Sequence, residues 1–435
     1  MAWRALLVDD ARRLLGRAHD AFEALGDMRA AGRVSARLGE IDFADGRPAE
    51  AAARMEVALA AFSGGEGDAD LANVTAQLGR FLLFADRRDE ATPHLERALQ
   101  LAEALDLPDV LAQALSSRAV LLMGQDRLYE SRVLLEGALE LALARGMHVA
   151  ALRAYNNLGA NFVNSDRIED GYLLNERAIE LARRIGERNW EANFVAGRVA
   201  WLFFIGRWDE AVESFAEALQ QPSYTFALGI ALFIVSLHCE RGEVARAREV
   251  FAGFAAVGES EERQSVAGYA AVEARLLRAE GRLTEALAVA EHGLAAGREL
   301  GATSGQFKGL LCETLDCALE LGETERAREL LATLAPLQPG QRTPLVRAYE
   351  AQFRARLGLG DAEADFRVAE ELFRELRTPF MLAVVCLQHA EWLEGGGRSA
   401  ALLVEASEIF ARLRAQPWLE RTAAAAAREQ QQISA

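Results

Sequence analysis

A two-residue turn signal returns through this chain at a nearly fixed interval. It stands at Gly46-Arg47, Asp86-Arg87, Asp126-Arg127, Asp166-Arg167, Gly206-Arg207, Gly242-Glu243, Gly281-Arg282 and Gly322-Glu323, in steps of 40, 40, 40, 40, 36, 39 and 41 residues. Weaker copies occur at Gly360-Asp361 and Gly397-Arg398. Gly and Asp both tolerate tight turn dihedrals, so each signal reads as a chain reversal. Five residues past the turns sit the small side chains Ala51, Ala91, Ser131, Gly171, Ala211, Ala247, Ala286 and Ala327. Nine past the first five turns come Met55, Leu95, Leu135, Asn175 and Phe215, and twelve past come Ala58, Ala98, Ala138, Ala178 and Ala218. Offsets that step by four and then three mark one face of a helix. Its small residues let a neighbouring helix approach closely. Another apolar-periodic stretch precedes each turn, as in "VTAQLGRFLLFA" (74–85) and "ALRAYNNLGANFV" (151–163). Each repeat is therefore helix, tight turn, helix. Gly146, Gly186 and Gly301 fall twenty residues past a turn, where a left-handed C-cap stops the second helix. A hairpin of this kind cannot bury its apolar face alone and must stack on its neighbours. The expected fold is an all-α solenoid of about ten helical hairpins with a ~40-residue period.

Composition narrows the function. Apolar residues make up 51% of the 435 and charged residues 26%, as in a folded chain. The formal charge of −17 opposes direct binding of nucleic acid or of anionic membrane, both of which depend on Lys and Arg. Lys308 is the only lysine; every other basic side chain except the histidines is Arg. Cys239, Cys312, Cys317 and Cys386 are scattered and form no CxxC pair, which fits reduced thiols in a cytoplasmic protein. "MAWRALLVDDARR" has too short an apolar core for a signal peptide. The apolar run "FALGIALFIVSL" (226–237) is too short to cross a membrane and reads as a buried core helix.

No catalytic constellation emerges. "GATSGQFKG" (301–309) lacks the G-x-x-x-x-G-K-[ST] spacing by which backbone amides cradle phosphates, and reads as an inter-repeat loop after a helix cap. The six histidines form no HExxH, and Cys312 and Cys317, five apart, fall on different helix faces. His238 and Cys239 are adjacent, so on a helix they diverge by about 100°. A G-x-S-x-G elbow is absent. No catalytic, metal-binding or cofactor-binding residue is assigned. Trp201, Phe203, Phe204 and Trp208 read as inter-repeat core.

The turn pattern resembles the tetratricopeptide repeat. Leu38-Gly39, Leu78-Gly79 and Leu158-Gly159 match that family's Leu-Gly element, each seven residues before a turn, and Gly-Arg-x-x-Glu-Ala keeps its internal spacing. The family's period is about 34 residues, so about six extra residues imply longer helices. The resemblance implies a right-handed superhelix whose first helices line the concave side. "TPFMLAVVCLQHAEWLEGGGRSAALLVEASEIFARLRAQPWLER" (378–421) is similar to the end of the helical-repeat region in large bacterial, actinobacterial-type signalling ATPases. Those join an upstream nucleotide-binding module to a nucleotide cyclase or a LuxR-type helix-turn-helix. "LARRIGERNWEA" (181–192) and "FFIGRWDEA" (203–211) share that character. Only the repeat arm of such a protein is encoded in these residues. "DDARRLLGRAHDAF" (9–22) aligns as a second helix, so the chain is expected to open midway through a repeat.

Seven of the eight asparagines lie between 156 and 193: Asn156, Asn157, Asn161, Asn164, Asn175, Asn189 and Asn193. Counting back from the turns, the resemblance places Arg33, Arg37, Asn73, Gln77, Arg80, Gln113, Ser117, Arg153, Asn156, Asn157 and Asn193 on the groove. The set is polar and free of carboxylates, and amide and guanidinium donors suit peptide backbone and carboxylates. Asn157 precedes Leu158-Gly159 as the peptide-gripping Asn does in carboxylate-clamp tetratricopeptide domains. The clamp's lysines have no equivalents, and Arg153 is their nearest substitute. The other reading of the amides is structural: helix caps and bridges between repeats, which suits Asn164 and Asn189.

These readings divide the chain into a partial first repeat (1–32), a repeat array with a polar groove (33–220), a middle array (221–335) and C-terminal repeats (336–435) after the Pro-rich stretch "LAPLQPGQRTPLV" (334–346). "SGGEGDAD" (63–70) and "QQPSYT" (220–225) read as loops. The expected function is non-catalytic protein or peptide binding, as the regulatory arm of a cytoplasmic signalling or transcription-regulatory protein. The expected partner is a protein or peptide, with no direct contact to nucleic acid or membrane and no cofactor. The alternatives are a fragment of a multidomain cyclase or ATPase, and a sensor of oligopeptides or small molecules.

Overall fold

The computed structural model describes residues 8–62, 67–220, 232–259, 263–393 and 395–434. Residues 1–7, the first half of "SGGEGDAD", most of "QQPSYT" and the first half of "FALGIALFIVSL" lie outside them. No strand occurs among the described residues. The chain runs through helices α1 (Val8–Ala24), α2 (Met28–Ala44), α3 (Pro48–Phe62), α4 (Ala69–Phe84), α5 (Arg88–Ala104), α6 (Pro108–Met123), α7 (Leu128–Ala144), α8 (His148–Asn164), α9 (Ile168–Ile185), α10 (Arg188–Phe204) and α11 (Trp208–Leu219). Among the described residues, eleven further helices of eight residues or more follow, from Phe233–Glu240 to Gln416–Ser434. Helices pack in tandem hairpins, α2 on α3, α4 on α5 and α6 on α7, in a tetratricopeptide-like α-solenoid.

The turns explain the period. Gly46, Asp86, Asp126, Asp166, Gly206, Gly242, Gly281 and Gly322 all have φ between 58 and 78°. The residue after each donates its N–H back to a carbonyl five positions earlier, as Arg47 does to Asp42 (2.9 Å) and Arg167 to Phe162 (2.9 Å). This is the Schellman closure, which satisfies carbonyls left open at a helix end. Gly26, Asp106, Gly146 and Gly186 repeat it at the other end of the hairpins, so left-handed residues recur every twenty positions across much of the chain. Gly301 is also left-handed, with φ 99°.

The small face is buried as the offsets predict. Ala51, Ala91, Ser131, Ala211, Ala247, Ala286 and Ala327 are each 0% exposed, and so are Ala58, Ala98, Ala138 and Ala178. Gly171 takes this close approach furthest. A Cβ built there would stand 2.2 Å from the Trp201 indole, itself buried. Gly171→Ala therefore forces the indole to move and is expected to lower stability by about 1–3 kcal/mol, read from the urea midpoint of Trp fluorescence.

The chain forms two compact units, residues 1–158 and 159–435, which part within α8. The C-terminal unit folds back on itself, because its early turns touch segments far along the sequence. Lys308 and Asp166 form an ion pair in which both side chains are at most 2% exposed. Lys308 Nζ also donates to the carbonyls of Val163 (3.0 Å) and Asn164 (3.2 Å), and Asp166 Oδ2 accepts the Leu345 N–H at 2.7 Å. Arg377 pairs with Glu169, Arg241 Nε donates to the Leu413 carbonyl at 3.1 Å, and Trp418 Nε1 donates to Glu240 at 2.8 Å. One expectation is corrected in part: only 301–304 of "GATSGQFKG" is loop. Ser304 caps a helix, Gly305–Glu320, and Lys308 sits in its first turn. The Pro-rich stretch is held by Arg342, which donates to the carbonyls of Leu334 (3.0 Å) and Ala335 (3.3 Å) and pairs with Glu350 at 2.9 Å.

Candidate functional site

In the N-terminal unit, the first helices of neighbouring hairpins pack on one another, α2 on α4 and α4 on α6. Their repeat registers line up across the stack. Thirteen residues before the turns stand Arg33, Asn73, Gln113 and Arg153; nine before stand Arg37, Gln77, Ser117 and Asn157; six before stand Glu40 and Arg80. The structure joins the middle of this row by hydrogen bonds. Gln113 Oε1 accepts from Gln77 Nε2 at 3.2 Å and from Arg153 Nη1 at 3.3 Å, which links α4, α6 and α8. An open cleft of about 260 Å³ adjoins it, lined by Asp109, Gln113, Met147, His148, Val149, Ala150 and Arg153.

The other expected groove residues fall into distinct settings. Arg33 and Arg37 are exposed and engaged by carboxylates, Arg33 Nη1 with Asp70 at 3.0 Å and Arg37 Nη1 with Glu40 at 2.7 Å. Asn73 is exposed, and Asn156 and Asn157 are half-buried. Ser117 is 5% exposed and turns its hydroxyl back to the Gln113 carbonyl at 3.0 Å. Asn193 lies in the C-terminal unit at 4% exposure, so there it is an interior residue rather than part of an open face. Asn161 is 0% exposed, and Asn175 on α9 donates to the Phe194 carbonyl on α10 at 3.0 Å, from one hairpin to the next. The asparagine cluster thus contains interior amides as well as half-buried ones on the first-helix face.

Arg80 and Arg153 differ from the rest. Neither lies within 4.0 Å of a carboxylate among the described residues, whereas Arg33 and Arg37 on the same face do. The Arg80 guanidinium lies over the Phe43 ring, 4.4 Å from its centroid, with Phe81 and Phe84 beside it. Arg153 keeps its Nε–H buried without a partner. Burial lowers Arg80 well below the ordinary arginine value; Arg153 lowers it further, and Glu40 pulls the other way. Burial lowers Arg153 to about 10, again against Glu40.

The C-terminal unit treats the same face differently. Glu313, 1% exposed, accepts from Arg275 Nε at 2.9 Å and from Arg278 Nε at 2.6 Å. Arg275 stands six residues before its turn, the register that Arg80 occupies. Arg356 pairs with Asp316 on the next first helix. There the inward guanidinium groups are neutralised by the protein itself.

The cysteines show no sign of activation. All four are free, and burial pushes the Cys239 thiol up to about 12 and raises the other three. His238, 3% exposed, bonds Glu243 through Nδ1 at 2.5 Å. His19, Asp20 and Glu23 come together on the exposed side of α1. Sequence reasoning missed the Lys308–Asp166 pair and the Glu313 cluster. The lysine's uniqueness was the only signal for the first, and nothing local marked the second.

No protein-family model matches the chain, and no curated protein sequence matches it significantly. Solved structures do. Human IFIT1, as a dimer with PPP-AAAA, aligns over 96% of this chain and 95% of its own, at 14% identity and a TM-score of 0.47. The APC/C hetero-tetramer Cut9–Hcn1 aligns over 95% of this chain and 87% of that chain, at 12% identity and 0.45. BtubC from P. vanneervenii covers 49% of this chain and 90% of its own, at 15% identity and 0.41. These likenesses concern the fold alone. No helix among the described residues is long and apolar enough to cross a membrane.

Proposed function

We propose that the chain is a non-catalytic repeat module that holds an extended segment of a partner protein along the first-helix face of its N-terminal unit. In this reading it is the regulatory arm of a cytoplasmic signalling protein, and the partner segment biases what that protein does. The supporting observation is the row Asn73, Gln77, Gln113, Arg153 and Asn157, which presents amides and one guanidinium across α4, α6 and α8. An extended peptide has an unpaired N–H and C=O at each residue, and side-chain amides can serve both. The residues of this row that carry no charge suit a neutral backbone better than a polyanion.

The test is selection from a displayed random-peptide library on the immobilised full chain. Enriched peptides are expected to bind at least ~10-fold more weakly to Asn73→Ala combined with Asn157→Ala. Helicity and melting should stay within about 0.5 kcal/mol of the parent, because both side chains reach solvent. Enriched peptides that bind the double variant undiminished would place the binding face elsewhere.

A further inference from the structure

We propose that α1 is a dimerisation helix, and that its outward apolar stripe packs antiparallel against α1 of a second copy of this chain. In the hairpins that follow, each second helix buries one side against its own first helix. Gly39 shows how close that contact is: a Cβ there would stand 3.2 Å from the Ala51 carbonyl oxygen and 3.3 Å from Met55 Cε. Since α1 is itself a second helix, counting back forty residues gives its matching side as Ala11, Leu14, Leu15, Ala18, Ala21 and Phe22. All six are apolar. Leu14 is 54% exposed, Ala21 is exposed, and Leu15, Ala18 and Phe22 are half-buried. The counterparts of the last three that lie on α3 are Met55, Ala58 and Phe62, each at most 1% exposed. The final helix differs. Gln416–Ser434 turns Glu420, Arg428, Gln430 and Gln431 to solvent, and its only exposed apolar side chains among the described residues are alanines. A repeat array stays soluble through polar caps, and a large apolar stripe left at one end marks a surface for association.

Three observations point to a second copy. The 40-residue period places the turn that would join a first helix to α1 at positions 6 and 7, where the sequence has Leu6-Leu7 in place of Gly or Asp followed by Arg. The usual left-handed hairpin closure is therefore not spelled out before α1. The stripe also mixes small and large side chains, so antiparallel packing seats Leu14 of one helix against Ala11 of the other, and the reverse. The charges at its edge match in the same way. On one edge Arg12 bonds Asp42 at 3.1 Å and Asp45 at 2.6 Å, which turns that edge toward α2. The opposite edge carries Asp10 and Arg17, about two helical turns apart. Asp10 is held by Arg13 alone, at 2.7 Å, and Arg17 has no carboxylate within 4.0 Å among the described residues. In the antiparallel pair, Asp10 of each copy meets Arg17 of the other. A two-fold contact of this kind closes on itself and stops at a dimer.

The experiment is sedimentation velocity with static light scattering on the full, untagged chain from about 1 to 200 µM, a range that brackets the micromolar affinity of a contact one helix wide. The parent is expected to pass from monomer to dimer and no further. Leu14→Glu should weaken the dimer at least ~30-fold, because a two-fold contact carries each substitution twice. Its melting temperature at the lowest concentration should match the parent's, because Leu14 is largely exposed in the single chain. Arg17→Asp should also weaken the dimer by setting two carboxylates face to face. Asp10→Arg combined with Arg17→Asp should restore it, because the exchanged charges meet again across the pair. A parent that stays monomeric throughout overturns the proposal and leaves the stripe to a helix of another protein. A dimer that Leu14→Glu leaves intact overturns it by placing the contact elsewhere. Growth beyond the dimer, or a double reversal no tighter than Arg17→Asp alone, overturns the antiparallel two-fold pairing. Every variant lies on α1, outside the row of amides, so none of these outcomes turns on the peptide-binding reading.

Discussion

Replacing Lys308 by alanine is expected to destabilise the C-terminal unit by about 3–5 kcal/mol. The substitution strands the Asp166 carboxylate, 1% exposed, with only the Leu345 N–H as a partner, and frees the Val163 and Asn164 carbonyls. A buried charge without its counter-ion costs far more than the pair contributes when intact. For that reason the double variant Lys308→Met with Asp166→Asn should recover much of the loss. An Asn oxygen can still accept from Leu345, and Met fills the channel of the lysine stem. The measurement is urea unfolding followed by Trp fluorescence. Of the six tryptophans, Trp190, Trp201, Trp208, Trp392 and Trp418 lie in the C-terminal unit, so the signal reports on that unit. A single variant within about 0.5 kcal/mol of the parent would mean that the pair does not hold the early turns to the later helices.

The second large effect concerns Glu313. Burial raises its carboxyl, but Arg278 and Arg275 lower it more, so it lies below the ordinary glutamate value. A carboxyl that is lower in the folded chain than in the unfolded one stabilises the fold fully above its unfolded value, near 4.5. That stability is lost as pH falls from there through the folded value. Glu313→Ala removes the buried carboxylate that Arg275 and Arg278 share, leaving them Glu240 at 3.5 Å and Glu320 at 3.1 Å, and should cost about 3–5 kcal/mol at neutral pH. Glu313→Gln keeps an acceptor and should cost less, and below pH 4.5 its difference from the parent should shrink toward zero. A constant difference from pH 7 to pH 3, on the order of that range of titration, would show that the carboxylate charge has no part in it.

The hairpin architecture was legible because its determinants are local. A left-handed residue needs Gly or a short polar side chain, and close helix contact needs Ala or Gly, so turns and offsets carry their own spelling. The positions of Gly46, Asp86, Ala51 and Ala91 could therefore be placed by counting alone. Asp166 shows where counting stops. In sequence it is the equal of Asp86 and Asp126, and its left-handed φ of 59° matches theirs. What sets it apart is a lysine 142 residues away, which no local pattern connects to it. Asn193 shows a related limit. Helical register places Asn193 level with Gln113 and Arg153, but its surroundings in the C-terminal unit bury it to 4%. Register gives the direction of a side chain along its helix and leaves open what is packed against it. The same limit hid the contrast between Arg33 and Arg153: Asp70 answers the first from the neighbouring helix, and only Gln113 reaches the second.

The seclusion of Lys308 has a chemical consequence. The chain carries a single ε-amine, and the folded C-terminal unit seals it at 2% side-chain exposure behind a carboxylate. Acylating reagents therefore meet no lysine on the native surface, and any label found at position 308 marks a molecule whose C-terminal unit has come apart.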